Sequence, residues 1–342
     1  MTFKKYNSIE NTFDRDFMDH IRTKGYAEVP YVVQEKVHGA NCSFITDGND
    51  VSFAKRSAPV EPGEQFYCYE DVLERYRERV IALFEAVKRQ YPDTVELQIY
   101  GELFGGSYPH PDVKRIRNIM TIQKGVFYCP WHDFYGFDLF IHAPETYGYL
   151  PVDAVARFFE EGGFLYARTL FEGTLDQCLE YSNAFPSKIS EWLGLPPIDG
   201  NICEGVVIRP KEPLYLPNGA RVLLKNKNAK FAEKKQQRRH VRAQNDPEYS
   251  PELCELMATA EDYVTDNRLN NVISKIGHVS LPRDMGKLIG LFSKDIIEDF
   301  LKEHNAEYIE LDKNEQKLFN KFANKQAISL IKQSFNDIHW SA

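Results

Sequence analysis

Between about residue 30 and residue 230, apolar positions alternate with polar ones in short runs: YVVQEKV (31–37), CSFIT (42–46), VSFAK (51–55), TVELQIYGEL (94–103), DFYGFDLFI (133–141), CEGVVIRP (203–210) and RVLLKNK (221–227). A period of two in β-branched and aromatic residues predicts a strand for each. Asp47-Gly48 between the second and third runs predicts a hairpin. The period lengthens to that of a helix at Val72, Tyr76, Val80, Leu83, Phe84 and Val87. It does so again at Val152, Val155, Phe158 and Phe159, before Gly162-Gly163 stops it. Thr174 with Gln177 forms a capping box for a third helix. After NDPEYSP (245–251) strand signals cease, and residues 251–338 read as several helices, one carrying Leu288, Ile289, Ile296, Ile297 and Phe300. The pattern predicts an α+β fold with mainly antiparallel sheets over 1–243, followed by a small all-helical domain over 244–342.

Length supports the division, because single cores stop growing near roughly 250 to 300 residues and the chain has 342. Hydrophobic residues at 43% and charged residues at 27% are those of a soluble globular protein, and no apolar run reaches membrane-span length. The amino-terminal MTFKKYNSIENTFDRDF has no apolar h-region, so neither a signal peptide nor a presequence is expected. A cytoplasmic monomer with no membrane partner is the expectation. Six cysteines without CxxC spacing exclude a zinc ribbon and a secreted disulfide framework; they are expected to be reduced and mostly buried. The net charge of -8 argues against nucleic acid, yet Lys225 to Arg242 holds eight Lys or Arg against one acid, Glu233. Such a stripe is compatible with phosphate-backbone contact, although a charge run taken alone is more often a solvated helix face or linker.

Several charged residues sit where alternation makes them conspicuous. Lys36 ends a strand two residues ahead of His38-Gly39, a turn that would free its side chain from the sheet. In TVELQIYGEL, Val95, Leu97 and Ile99 share one face, and Glu96, Gln98, Tyr100 and Glu102 the other. Glu204 is expected to share a face with Val206 and Ile208, and Lys225 and Lys227 to point together, across from Val222, Leu224 and Asn226. Two lysines on one strand face repel unless an anion lies between them. Carboxylates for a metal and a ribose, paired ammonium groups for a phosphate and one lysine to attack suit a phosphoryl site. A protonated lysine, whose amine in water titrates at about 10.4, is a poor nucleophile, so the attacking Lys36 needs neighbouring cations or desolvation.

The ordered motifs EKVHGAN (35–41), AKRS (54–57), YGELFGG (100–106), FYGFDLF (134–140), EGVVIRP (204–210) and VLLKNKN (222–228) resemble those of the covalent nucleotidyltransferases. The pattern KxHGxN resembles the RNA ligase 2 branch, phage-type and RNA-editing-type, and NRLNNVISKIG (267–277) resembles a segment of that branch's helical carboxyl-terminal domain. The resemblance implies an antiparallel-sheet, ATP-grasp-like nucleotidyltransferase domain and an ATP-dependent, Mg2+-using RNA ligase. Lys36 would take AMP from ATP, pass it to a 5′-phosphate, and let a 3′-hydroxyl close the nick. The implied partner is nicked double-stranded RNA, with an RNA/DNA hybrid left open. By motif position, Glu35 is expected at the adenine edge, Phe137 on its ring and Glu102 at the ribose. Glu204 and Asn41 are expected at the metal, and Lys225 and Lys227 at the α-phosphate. His38 and Arg56 are expected in the later steps, with Arg56, Arg268 and Asp295 toward nucleic acid. Ala40 replaces the threonine frequent in the first motif. A DNA ligase or capping enzyme in the same superfamily would carry an OB-fold, whose many short strands the tail lacks. A non-catalytic end-binding protein would be expected to have lost the nucleophile or the metal carboxylate, and both are present.

Overall fold

The computed structural model describes residues 1–144, 148–233, 249–277 and 279–334. The chain divides into two compact units, Met1–Lys230 and Phe231–Ala342. The expected boundary at 243/244 and the second half of the basic stretch, 234–242, fall outside the described residues.

Two sheets make the first unit. Sheet one runs β1 (Glu10–Asn11), β12 (Leu224–Lys227), β11 (Gly205–Pro210), β2 (Tyr31–Glu35) and β10 (Thr169–Gly173), antiparallel except between β1 and β12. Sheet two runs β5 (Ala58–Pro59), β4 (Val51–Lys55), β3 (Ala40–Thr46), β6 (Glu96–Gly105), β7 (His132–His142) and β8 (Gly148–Tyr149), with β9 (Leu165–Tyr166) parallel to β7. The predicted hairpin is present: Thr46 pairs with Val51, Gly48 turns with φ 93°, and the Asp47 carboxylate accepts from the backbone N–H groups of Asn49 and Asp50. Gly48 supplies the left-handed backbone that other residues resist.

Each sheet buries one face under helices. The apolar stripe predicted for 72–87 lies on α2 (Tyr69–Gln90). With Val155, Phe158 and Phe159 of α3 (Val152–Glu161) it covers Phe44, Leu97, Ile99 and Leu139 of sheet two. Each fully buried aliphatic or phenyl side chain contributes about 1.5 to 3 kcal/mol. On sheet one, Tyr31, Val33, Val206, Ile208 and Leu224 pack against Phe17 and Ile21 of α1 (Arg15–Thr23) and Leu175 of α4 (Leu175–Leu179). The Thr174–Gln177 capping box opens α4, and a short α5 (Ile189–Trp192) follows. Leu223, just before β12, meets Tyr100, Phe140 and Tyr149 of sheet two and Tyr6.

The second unit is helical: α6 (Pro251–Glu261), α7 (Asp266–Ile276), α8 (Met285–Glu310) and α9 (Lys313–Gln333). Ser250, Thr265 and Asp312 cap three of these with side-chain oxygens, which satisfy first-turn N–H groups. Leu288, Ile296 and Phe300 are buried among Leu253, Phe319 and Ile331, and Ile289 and Ile297 pack at the margin. No described helix is long and apolar enough to cross a membrane. All six cysteines are free, and only Cys68 is exposed.

Two details of alternation differ from expectation. Val95, expected on the buried face, precedes β6 and is exposed. Glu204 does not share the buried face of Val206 and Ile208, because Gly205 at φ 147° breaks the alternation immediately after it.

Candidate active site

The chain leaves sheet one at Glu35 and enters sheet two at Ala40, so Lys36 to Gly39 is the crossing between the sheets. Lys36 still donates its backbone N–H to the Gly205 carbonyl at 2.9 Å, which extends the ladder by one residue and holds the Lys36 side chain at the sheet's end. Gly39 then approaches β6 so closely that a Cβ would lie 2.3 Å from the Leu103 carbonyl oxygen and 2.9 Å from the Glu102 side chain. Only glycine permits that approach. His38 is held by its N–H, which donates to the Tyr128 hydroxyl at 2.9 Å.

Glu204 is the centre of charge. One carboxylate oxygen accepts from Lys36 Nζ at 2.7 Å and lies 3.8 Å from His38 Nδ1; the other lies 3.0 Å from Lys227 Nζ. Burial works against its charge, yet the ammonium groups of Lys36 and Lys227, with His38, hold its pKa down to about 2. The break at Gly205 makes this possible. A Cβ there would lie 2.2 Å from the Asn226 carbonyl oxygen, so the side-chain-free position lets β11 press against β12 while Glu204 turns toward the lysines. Lys225 stands two residues before Lys227 on the same strand and pairs in register with Val207.

Sheet two supplies the facing groups. Asn41 and Glu102 are cross-strand partners, and Ser43 and Gln98, on the same face, are joined by a 2.9 Å hydrogen bond. Burial pushes the Glu102 carboxyl up to about 7. Lys36 opposes that shift, the nearby Glu204 charge adds to it, and Arg56, just past β4, also acts on it. Phe137 occupies a β-bulge, where Tyr100 pairs with Asp138 and Gly101 with Gly136. It is the one residue of β7 that is not buried, and its ring meets Tyr6 edge-on at 5.0 Å. An aromatic side chain left partly exposed in this way can stack on a planar ring.

Lys36, His38, Glu204 and Lys227 are thus in direct contact, and Glu102 and Arg56 are within electrostatic reach. Glu35 is arranged differently. Its carboxylate turns from the crossing, accepting from Ser187 Oγ at 2.6 Å and the Lys188 N–H at 2.8 Å, while its backbone carbonyl accepts from the Tyr135 hydroxyl. Burial pushes it up to about 7 against those donors. Arg268 and Asp295, expected toward nucleic acid, are partners in one ion-pair cluster, in which Asp295 also accepts from the exposed Lys275. The Arg268 side chain is 2% exposed and bonds the Asp295 and Asp299 carboxylates at 2.8 Å each and the Tyr263 carbonyl at 2.9 Å. In this arrangement the guanidinium is buried and faces these acceptors.

Sequence reasoning passed over a second buried cluster. Asp138 of sheet two accepts from Arg209 of β11 at 3.1 Å, from Arg221 at 2.6 Å and from the Tyr6 hydroxyl at 2.8 Å. Burial opposes its charge, but the two guanidinium groups hold its pKa below the usual carboxylate value. Arg209 also donates to the Phe137 carbonyl at 3.1 Å, which fixes the bulge from the opposite sheet. The signal was an acid in the middle of an apolar strand, which requires a buried partner. Ser187, Lys188 and Tyr128 carried no local signal, because each acts through a single long-range bond.

Residues 29–227 match the family model described as RNA ligase, and residues 247–328 match that described as T4 RNA ligase 2 C-terminal. The chain is similar to RNA-editing ligase 1, mitochondrial, of Trypanosoma brucei brucei, at 30% identity over 83% of this chain and 72% of the relative. It is similar to RNA-editing ligase 2, mitochondrial, of the same organism at 28% identity, over 88% of this chain and 83% of the relative. Among solved structures, an archaeal ATP-dependent RNA ligase aligns with TM-score 0.41 and 17% identity over 88% of this chain and 65% of that one. A Naegleria gruberi RNA ligase with AMP and Mn aligns with TM-score 0.44 and 14% identity, over 66% of this chain; this chain spans 56% of that one.

Proposed function

The chain belongs to the RNA ligase family, and from that premise we propose that it seals 3′-OH/5′-phosphate nicks in duplex RNA with ATP through a lysyl-AMP intermediate. The observation that carries this reading is the single carboxylate of Glu204 shared by Lys36 and Lys227 at the crossing of the two sheets. In the resting arrangement the Lys36 ammonium is held by that carboxylate and cannot attack. Phosphate oxygens arriving near Lys225 and Lys227 offer those cations a second anion, which loosens the pair and lets Lys36 give its proton to solvent. Its amine then forms a bond to the α-phosphorus of ATP as the bond to the departing pyrophosphate breaks. A 5′-phosphate oxygen next displaces Lys36 from AMP, and the 3′-hydroxyl finally displaces AMP. Positioning and fixed positive charge account for the catalysis.

Adenine would stack on Phe137, and Glu102, at neutral pH poised between its charged and neutral forms, would meet the ribose. Arg56 and His38 would serve the nucleic-acid phosphate. No group of three or more His, Cys, Asp or Glu side chains among the described residues is arranged to hold a metal. The oxygen donors of Glu204 and Asn41 fit Mg2+, which commonly binds through one or two protein ligands and completes its shell with phosphate and water. When bound, it would neutralise phosphate charge.

Mass spectrometry after exposure to ATP and Mg2+ tests the reading: one AMP on Lys36 is expected, and an unmodified chain refutes it. A panel of nicked duplexes with RNA or DNA on each side of the nick then defines the substrate. Preferential sealing of a nick in all-DNA duplex would overturn the RNA assignment.

A further inference from the structure

The excursion between β6 and β7 carries charge that the adenylylation site does not use. It begins at Gly106, four residues beyond Glu102, and is pinned at its base. Gly106 donates to the Trp131 carbonyl at 3.0 Å, Ile122 donates to the Gly105 carbonyl at 3.1 Å, and Gly105 donates to the Gln123 side chain at 2.9 Å. At Gly106, φ is 92° and a Cβ would lie 2.1 Å from the Met120 carbonyl oxygen, so the returning strand of the excursion is tight against it. On its way back the chain places Tyr128, whose hydroxyl holds His38. Both ends of the excursion are therefore fixed at the rim of the Lys36 site.

The tip is the opposite in character. Lys114, Arg115 and Arg117 are exposed in the sequence KRIRN, and Lys124 is exposed on the return. None of the four makes an ion pair or side-chain hydrogen bond among the described residues. Ile116 between the arginines is 41% exposed. The one acid of the tip, Asp112, lies 4.0 Å from His110 Nδ1. On a chain of net charge -8, unpaired cations concentrated on a tethered loop repel one another unless an anion lies against them. A polyanion would relieve that repulsion by releasing its own counterions.

We propose that this basic loop is a phosphate-backbone contact for the RNA duplex at the rim of the ligation site. This deepens the functional reading above and rests on it for the identity of the duplex. Duplex RNA is recognised through phosphates and 2′-hydroxyls, so a few cations with no base-reading groups suit it. A second phosphate source, the ATP triphosphate, could use the same cations, and the measurements distinguish the two.

The test compares the full chain with the triple variant Lys114→Ala, Arg115→Ala, Arg117→Ala. Three readouts are used: AMP adduct yield with ATP and Mg2+, affinity for a nicked RNA duplex over a salt series, and sealing. The variant should form the adduct as the parent does and bind duplex about tenfold or more weakly at physiological salt. The slope of log affinity against log salt should become shallower by about one for each phosphate that is no longer neutralised. Lys114→Arg with Arg115→Lys and Arg117→Lys keeps charge and should keep affinity; a weakening equal to that of the alanine variant overturns the proposal. Unchanged affinity and slope in the alanine variant overturn it as well. So does loss of the adduct with duplex binding intact, which assigns the loop to the triphosphate. Duplex affinity is read whether or not the parent seals, so failure of the ligase reading and failure of the loop are separate results.

Discussion

Two charge clusters, one in each unit, are near mirror images in composition and opposite in what they permit. In the first, one carboxylate, Glu204, serves Lys36 and Lys227, with His38 at 3.8 Å. In the second, one guanidinium, Arg268, serves Asp295 and Asp299, with Glu233 at 4.0 Å. The cations around Glu204 are on flexible stems with 18% and 12% side-chain exposure, so an incoming anion can compete for them. Arg268 is planar, 2% exposed and further tied to the Tyr263 carbonyl, so an incoming anion meets it far less readily. A charge centre built from ammonium groups at a surface is exchangeable, whereas one built around a buried guanidinium is a fastening. Motif position alone placed both among functional residues; accessibility separates them.

The largest expected effect comes from Lys36→Ala. It should abolish the AMP adduct while the melting temperature moves only a few degrees, since Glu204 keeps Lys227; a sealing-competent mutant would break the covalent mechanism. Arg268→Ala should do the reverse. It should cost about 3 to 5 kcal/mol in denaturant unfolding of the helical unit, because three acids lose their shared cation. A loss under about 1 kcal/mol would erase the contrast. Gly205→Ala should cost about 1 to 3 kcal/mol and also impair adenylylation, because the Cβ meets a carbonyl at 2.2 Å and Glu204 is placed by that same residue. Full adduct yield in this variant would show that Glu204 reaches Lys36 without the break.

A further effect is in pH. Glu35 and Glu102 are raised from 4.5 to about 7, so the folded chain holds protons that the unfolded chain has released. Their contribution to stability therefore falls as pH rises from 4.5 to about 7. Glu204, lowered to about 2, acts oppositely, contributing stability above 4.5 that is lost as pH falls toward 2. Glu35→Gln should flatten the decline in melting temperature on the upper side and leave the acid limb unchanged. An unaltered upper limb would mean that the Glu35 carboxyl titrates normally.

The sequence by itself determined the strands and helices that bury a continuous face. Val72 to Val87, Val152 to Phe159 and the alternation through Leu97 and Ile99 could be read because burial on one face imposes a period that no partner needs to supply. It also determined the order of the chemical groups, since Lys36, Glu102, Glu204 and Lys227 stand in recognisable local contexts. The helix over Arg15–Thr23 was legible through Asp14, Phe17 and Ile21 and was passed over. The two-residue strands at Glu10, Ala58, Gly148 and Leu165 were not legible, because only pairing defines them. Tertiary structure alone decided that Lys36 lies where the chain changes sheets, that Glu204 turns off its strand's buried face, and that Asp138 joins the sheets through Arg209 and Arg221. It also decided that Arg268 is interior. The physical reason is the same throughout: periodicity reports which face of an element is apolar, whereas ion pairs and close backbone approaches depend on residues far away in sequence. A charged side chain looks the same in sequence whether its partner will be another side chain or a substrate.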